Sequence, residues 1–229
     1  MLPGVDDGSK NVQMSLQMLD ISRRQGVKAL ILTPHFYADM DSPESFLARR
    51  TEALNTLDNA IARTGYSFPP FTVGAEVHYY RGMSRSKTLD TLCFGRSNYI
   101  LIEMPFRAWH PQFVDEVEEI ADISGLNVII AHIERYLDQD KRLVKRLLEN
   151  DSLIKQSNAE FFIERSTRKK AMKLLKKGLI DVLASDSHNL TTRVPNLRQA
   201  YDIIGEDRDG EVLISKLEHN GRIITDSAL

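Results

Sequence analysis

Five apolar runs in this chain each lead to a side chain of a metal-binding type. Leu30-Ile31-Leu32-Thr33-Pro34 runs into His35, Phe71-Thr72-Val73-Gly74-Ala75 into Glu76, and Tyr99-Ile100-Leu101-Ile102 into Glu103. Val128-Ile129-Ile130-Ala131 runs into His132, and the stretch Leu179 to Ser185 into Asp186 and His188. Asp186 and His188 are two residues apart, so a strand period of two turns both to one face. A carboxylate oxygen beside an imidazole nitrogen is a pair of candidate metal ligands. Asp7, in the turn-rich stretch Leu2-Pro3-Gly4-Val5-Asp6-Asp7-Gly8-Ser9, completes a set of seven: Asp7, His35, Glu76, Glu103, His132, Asp186 and His188. Any one of them alone reads as an ordinary hydrogen-bonded core or loop residue. Their recurrence at the ends of apolar runs argues for a shared site. His78, His110 and His219 keep the ordinary reading, although His78 follows Glu76 by two.

Three imidazoles with four carboxylates suit Zn, Mn or Fe, and are too nitrogen-rich for a Ca or Mg cage. Seven ligands exceed the needs of one tetrahedral ion, so two or three divalent ions with a bridging carboxylate are expected. Ions about 4 Å apart activate a shared water and clamp a phosphoryl group, which points to phosphoester hydrolysis. Two arginines fit that chemistry. Arg135 follows His132 by three and Arg193 follows His188 by five, and a guanidinium fork matches phosphate oxygens. The competing reading for each is a surface ion pair, such as Arg135 with Glu134 or Asp138. Cys93 is not expected to be a nucleophile. In Cys93-Phe94-Gly95-Arg96 the arginine comes too soon to close a phosphate-cradling loop of five residues.

Helices and strands alternate around these residues. Helical periodicity with start and stop signals marks Val12 to Gly26, Ser42 to Thr64, a segment through Phe113, Val117 and Ile120 that Gly125 ends, Asp138 to Asn150, and Arg168 to Lys177. Val194 to Ile204 and Asp209 to Leu217 read as outer helices. Strands are predicted at Val27 to Thr33, Phe71 to Val77, Tyr99 to Met104, Leu126 to Ala131, Leu153 to Asn158 and Leu179 to Ser185. This alternation predicts a parallel α/β architecture. Ligands at many strand ends favour a barrel over an open sheet, because a barrel gathers them around one mouth.

The chain has 229 residues, which suits one domain spanning 1–229. A net charge of -2 gives no global basic field for nucleic acid or an acidic membrane. A single cysteine excludes an intrachain disulfide framework and fits a reducing compartment, the cytoplasm. No apolar run approaches the roughly 20 residues that span a bilayer, and the first ten residues lack a secretory pattern.

Leu2-Pro3-Gly4-Val5-Asp6-Asp7-Gly8, Thr33-Pro34-His35, Gly74-Ala75-Glu76, Leu101-Ile102-Glu103, Ala131-His132-Ile133-Glu134-Arg135-Tyr136 and Ser185-Asp186-Ser187-His188-Asn189 follow in that order. In this the chain resembles the bacterial metal-dependent protein-tyrosine phosphatases of the polymerase and histidinol phosphatase (PHP) superfamily, found in capsule and exopolysaccharide loci. The resemblance covers nearly the whole chain. It implies a distorted (β/α)7 barrel and a trinuclear site, with manganese favoured and iron, zinc or cobalt as alternatives. It implies a phosphotyrosine-protein substrate, the tail of a tyrosine autokinase, and leaves self-association open. Asp7, His35 and His188 would share one ion. Glu103 and His132 would hold a second, bridged by Glu76. Asp186 and Glu76 would hold the third, and Arg135 and Arg193 would contact phosphate. The family pattern opens with Asp-x-His-x-His directly before Leu-Pro-Gly, whereas this sequence begins at Met1. The expectation is therefore a barrel with its first strand missing or incomplete, a third ion short of ligands, and impaired activity. The rival readings are a small-molecule phosphoesterase of the histidinol phosphatase kind and a catalytically impaired module that binds the kinase tail.

Overall fold

The fold is described from a computed structural model, which covers residues 1–123 and 125–229. Among the described residues eight strands, all paired in parallel, are interspersed with helices. Strands β1 (Leu30–Leu32) and β3 (Phe71–Val73) pair with each other. Strands β2 (His35–Phe36), β4 (Glu76–His78), β5 (Tyr99–Glu103), β6 (Asn127–Ile130), β7 (Leu153–Asn158) and β8 (Val182–Ala184) form a six-stranded ladder in that order.

The two ladders are two long strands interrupted at matching places. Leu30 pairs with Phe71 and His35 with Glu76, so the same register runs through both. The predicted strands at Val27 to Thr33 and Phe71 to Val77 are therefore present but broken. Pro34 has no N–H to give the ladder. Across from it, the Gly74 N–H still reaches the Leu32 carbonyl at 3.0 Å and the Glu76 N–H the Pro34 carbonyl at 3.0 Å. Gly74 is required by a close approach, since a Cβ there would lie 2.4 Å from Phe94 Cδ1.

The sheet is buried on both faces, as its near-continuous apolar strands require. Ile100, Ile102, Val128 and Ile130 pack into the main core beneath the helices. Leu101, Ile129 and Ala131 point the other way, into a smaller cluster completed by Phe94, Val182, Ile224 and Ala228. The last two come from α8 (Gly210–Ala228), which runs eleven residues beyond the predicted end at Leu217 and packs against β8 and β1. The helices α1 (Val12–Arg24), α2 (Pro43–Thr64), α3 (Pro111–Ile123), α4 (Lys141–Glu149), α6 (Arg168–Lys176) and α7 (Leu197–Gly205) match the predicted ones within a few residues. The short α5 (Glu160–Ile163) was not expected. The cap reading at α2 holds, with Ser42 Oγ accepting from the Ser45 N–H at 3.2 Å and proline in the first turn. Among the described residues no helix is long and apolar enough to cross a membrane.

The sheet curls. His35 on β2 and His188 beyond β8 belong to the outer strands of the six-stranded ladder, yet their rings are hydrogen-bond neighbours at 3.2 Å. The expected parallel α/β architecture is thus present as a curled sheet. Among the described residues no ladder joins β8 to β1. A cavity of about 110 Å³ opens there, lined on one side by Leu30 to Thr33 and on the other by Ala184 to His188, with Glu76, His132 and Gln156 inside.

Candidate metal centre

Parallel pairing puts every C-terminal strand end at one mouth, and the candidate ligands lie there. His35 opens β2, Glu76 opens β4 beside it in register, and Glu103 closes β5 opposite His78. His132 lies two residues past β6, and Asp186 and His188 follow β8. His132 and Asp186 have positive φ angles of 31° and 46°. Non-glycine residues rarely adopt that region, and the strain concentrates at two of the candidate ligands.

The first group is Asp7, His35 and His188. The two Nε2 atoms lie 3.2 Å apart, and Asp7 Oδ1 lies 3.4 Å from His35 Nε2 and 3.5 Å from His188 Nε2. A point equidistant from three atoms so arranged is about 2 Å from each, an ordinary distance for a first-row metal bound to nitrogen and oxygen. His35 Nδ1 is buried and has no hydrogen-bond partner. Burial pushes the His188 imidazole below its usual pKa, despite the charges of Asp186 and Asp7, and so favours the neutral ring that binds metal. Asp7 itself is 69% exposed. Its neighbour Asp6 fixes the loop, accepting from the His35 N–H at 3.0 Å and the Gly8 N–H at 2.9 Å.

The second group is Glu76, Glu103 and His132, all buried. His132 Nε2 is 3.0 Å from Glu76 Oε1 and 3.2 Å from Glu103 Oε1. Burial alone would lower the His132 pKa, but its bonds to Glu103 and Glu76 raise it to about 9. Burial alone would raise that of Glu103, but hydrogen bonds from His132 and His78 hold it well below the carboxylate range. His35 links the groups, because its ring nitrogens, Glu76 and Glu103 also bring ligand atoms within 4.8 Å of one another.

Asp186 reaches the first group, its Oδ1 lying 3.5 Å from His188 Nδ1. Its Oδ2 accepts from Arg135 Nη2 at 2.7 Å, from Arg193 Nη2 at 2.5 Å and from Asn158 Nδ2 at 2.9 Å. Burial works against the ionised Asp186 carboxyl, and the two guanidiniums overcome it and lower its pKa. Both arginines thus bond to Asp186, not to Glu134 or Asp138. Glu134 is engaged elsewhere, accepting from Ser157 Oγ at 2.9 Å and from the Asn158 N–H at 3.2 Å.

Several supporting residues escaped the sequence reading. His78 Nδ1 bonds Glu103 Oε2 at 2.8 Å, and the signal for it was the two-residue spacing from Glu76 along β4. Tyr136 Oη contacts His132 Nδ1 at 3.1 Å, and its signal was the four-residue spacing from His132. Asn158 closes β7 with no apolar-to-ligand pattern of its own. His110 and His219 are in neither group. Cys93 is buried, donates to the Leu89 carbonyl, and has its thiol pushed up to about 12 by burial, as expected of a non-nucleophile.

The comparisons with known proteins agree in direction. The family described as "Capsular polysaccharide synthesis, CpsB/CapC" matches residues 1–224. The tyrosine-protein phosphatase CpsB of Streptococcus pneumoniae is 31% identical over 218 residues, covering 88% of this chain and 86% of that one. The tyrosine-protein phosphatase YwqE of Bacillus subtilis is 25% identical over 229 residues, covering 98% of this chain and 88% of that one. A solved structure from work on YwqE of Bacillus subtilis and CpsB of Streptococcus pneumoniae, described as unique metal-dependent tyrosine phosphatases, shares the fold. Its TM-score is 0.84 at 23% identity, over 100% of this chain and 92% of that one.

Proposed function

The chain belongs to the CpsB/CapC capsular polysaccharide synthesis family, and we propose that it is a metal-dependent phosphatase of protein phosphotyrosine. The observation that carries the metal part of this reading is the triangle of His35 Nε2, His188 Nε2 and Asp7 Oδ1, closed on a point about 2 Å from each. The two facing Nε2 atoms beside the Asp7 carboxylate, with burial favouring the neutral form of His188, make these donors a fit for a divalent cation.

On this reading Asp7, His35 and His188 would hold one ion, and Glu103, His132 and Glu76 a second. Asp186, with Glu76, would serve a third only by giving up bonds from Arg135, Arg193 and Asn158. Bound divalent ions supply Lewis-acid polarisation of the phosphoryl oxygens and an activated water. The reaction joins a water oxygen to phosphorus and breaks the bond from phosphorus to the tyrosine oxygen. The chain's own residues prepare it. Tyr136 fixes the ring of His132 through Nδ1, and His78 fixes Glu103, as supporting hydrogen bonds do for metal ligands. Arg135 and Arg193 already converge on one anionic oxygen of Asp186. Two guanidiniums that meet at a single oxyanion can also meet the equatorial oxygens of a transferring phosphoryl group.

Further assignments of the same reading are manganese as the resident ion, the tail of a tyrosine autokinase as substrate, and the cytoplasm as the location. The test is phosphate release from a phosphotyrosine peptide and from histidinol phosphate, with manganese and with a chelator. Manganese-dependent turnover of the peptide at least about tenfold above histidinol phosphate is expected. Preference for histidinol phosphate would reassign the substrate, and turnover unaffected by chelation would remove the metals from the reaction.

A further inference from the structure

A site that took any phosphomonoester would need only the charged mouth described above. One exposed side chain goes beyond that need. Phe106 is 53% exposed, and its ring lies nearly parallel to that of His132, with centroids 6.0 Å apart and planes 18° apart. It also meets Tyr136 at 5.9 Å. Tyr66, the other exposed large aromatic side chain on the described surface, has no ring contact with a candidate ligand, and Tyr37, which meets His35 at 5.7 Å, is half-buried.

Phe106 is also held in place. Gln139 Nε2 donates to the carbonyls of Phe106 and Arg107 at 3.3 and 3.2 Å, and Gln139 Oε1 accepts from the Trp109 N–H at 3.0 Å. Trp109 Nε1 donates back to the Pro105 carbonyl at 2.8 Å, and its ring packs on Tyr136 at 5.3 Å. The backbone from Pro105 to Trp109 is thus held by the side chains of Gln139 and Trp109, and the Phe106 ring, resting against His132 and Tyr136, stays half exposed. A fixed, exposed ring is pre-organised for contact, because ordering it on binding costs little.

We propose that Phe106 is a specificity-determining residue, a platform for the aryl ring of phosphotyrosine. This rests on the phosphatase reading above and names how its substrate class would be chosen. Aromatic rings favour offset or edge contacts with one another. A phosphotyrosine whose phosphate lies at the metal centre carries its ring outward past His132, onto the open part of Phe106. The short aliphatic arm of phosphoserine offers no ring to that surface.

The experiment compares wild type, Phe106→Ala and Phe106→Tyr on phosphotyrosine and phosphoserine peptides with manganese. In parallel, binding of free phosphotyrosine and of inorganic phosphate is followed by the fluorescence of Trp109, the single tryptophan. Phe106→Ala is expected to raise KM for the phosphotyrosine peptide and weaken phosphotyrosine binding by roughly three- to tenfold. The kcat value, the phosphoserine KM and the affinity for inorganic phosphate should stay within about twofold, and Phe106→Tyr should restore wild-type values. Equal losses for phosphotyrosine and inorganic phosphate, or no loss for either, would overturn the platform while leaving the phosphatase reading standing. Wild-type protein that fails to hydrolyse phosphotyrosine would overturn that reading and the platform with it.

Discussion

The two halves of the candidate centre are built differently. In the inner half, Glu76, Glu103 and His132 are buried and already paired, and each carries its own supporting bond or ion pair. In the outer half, Asp7 is exposed, His35 Nδ1 makes no hydrogen bond and has only Glu76 Oε1 at 4.0 Å, and two imidazole nitrogens face each other across 3.2 Å. Protons can stand in for an ion in the inner half, because a protonated His132 lies between two carboxylates. In the outer half the stand-in is slighter, one proton shared between the two Nε2 atoms beside an exposed carboxylate. On the proposed reading the inner group serves both fold and chemistry, while the outer group would add less to the fold than to cation binding.

The largest effect should come from breaking the inner half. His132→Ala would leave Glu76 and Glu103 buried without their counter-charge, and losing one partner of a buried pair costs about 3–5 kcal/mol. Asp7→Asn, at an exposed position, should move Tm by no more than a degree or two, equivalent to about 0.5 kcal/mol or less. These melting comparisons use metal-free protein; after loading with manganese, Asp7→Asn should bind fewer ions, measured by elemental analysis. Comparable melting losses in the two variants would erase the contrast between the halves.

A smaller effect sharpens the contrast with pH. The His132 pKa in the folded, metal-free chain is raised to about 9 from 6.5, so its contribution is complete below 6.5 and is lost as pH climbs through 9. That of Glu103 is depressed from 4.5, so its contribution is present above 4.5 and fades only as pH falls through the folded value. The metal-free protein should therefore melt at falling temperature between pH 6.5 and 9. The manganese-loaded protein should show the opposite slope, because ions displace the protons from the same ligands. Parallel slopes in the two forms would mean that protons and ions do not compete at His132.

The mouth of the sheet was legible in the sequence because parallel strands end together. An apolar run followed by His or Glu therefore marks both a strand and a place at the mouth. That logic located His35, Glu76, Glu103, His132, Asp186 and His188 at one end of the fold. It did not show that Pro34 and Gly74 break two strands, since both runs stay apolar through the break. It also missed the partners of the ligands. Tyr136 bonds His132 four residues back, a spacing that many unrelated pairs share. His78 and Asn158 act through hydrogen bonds to residues of the neighbouring strand or the loop after it, and sequence spacing carries no record of which strand lies next to which. The pairing of Arg135 and Arg193 with Asp186 has the same cause, because the three come from loops after β6 and β8, which are separated in the ladder by β7.

The most direct measurement is an anomalous-scattering map from crystals grown with manganese. Peaks are expected about 2 Å from Asp7 Oδ1, His35 Nε2 and His188 Nε2, and beside Glu76, Glu103 and His132. Manganese found only at outlying histidines such as His219, with both groups empty, would contradict the metal centre and the phosphatase chemistry built on it.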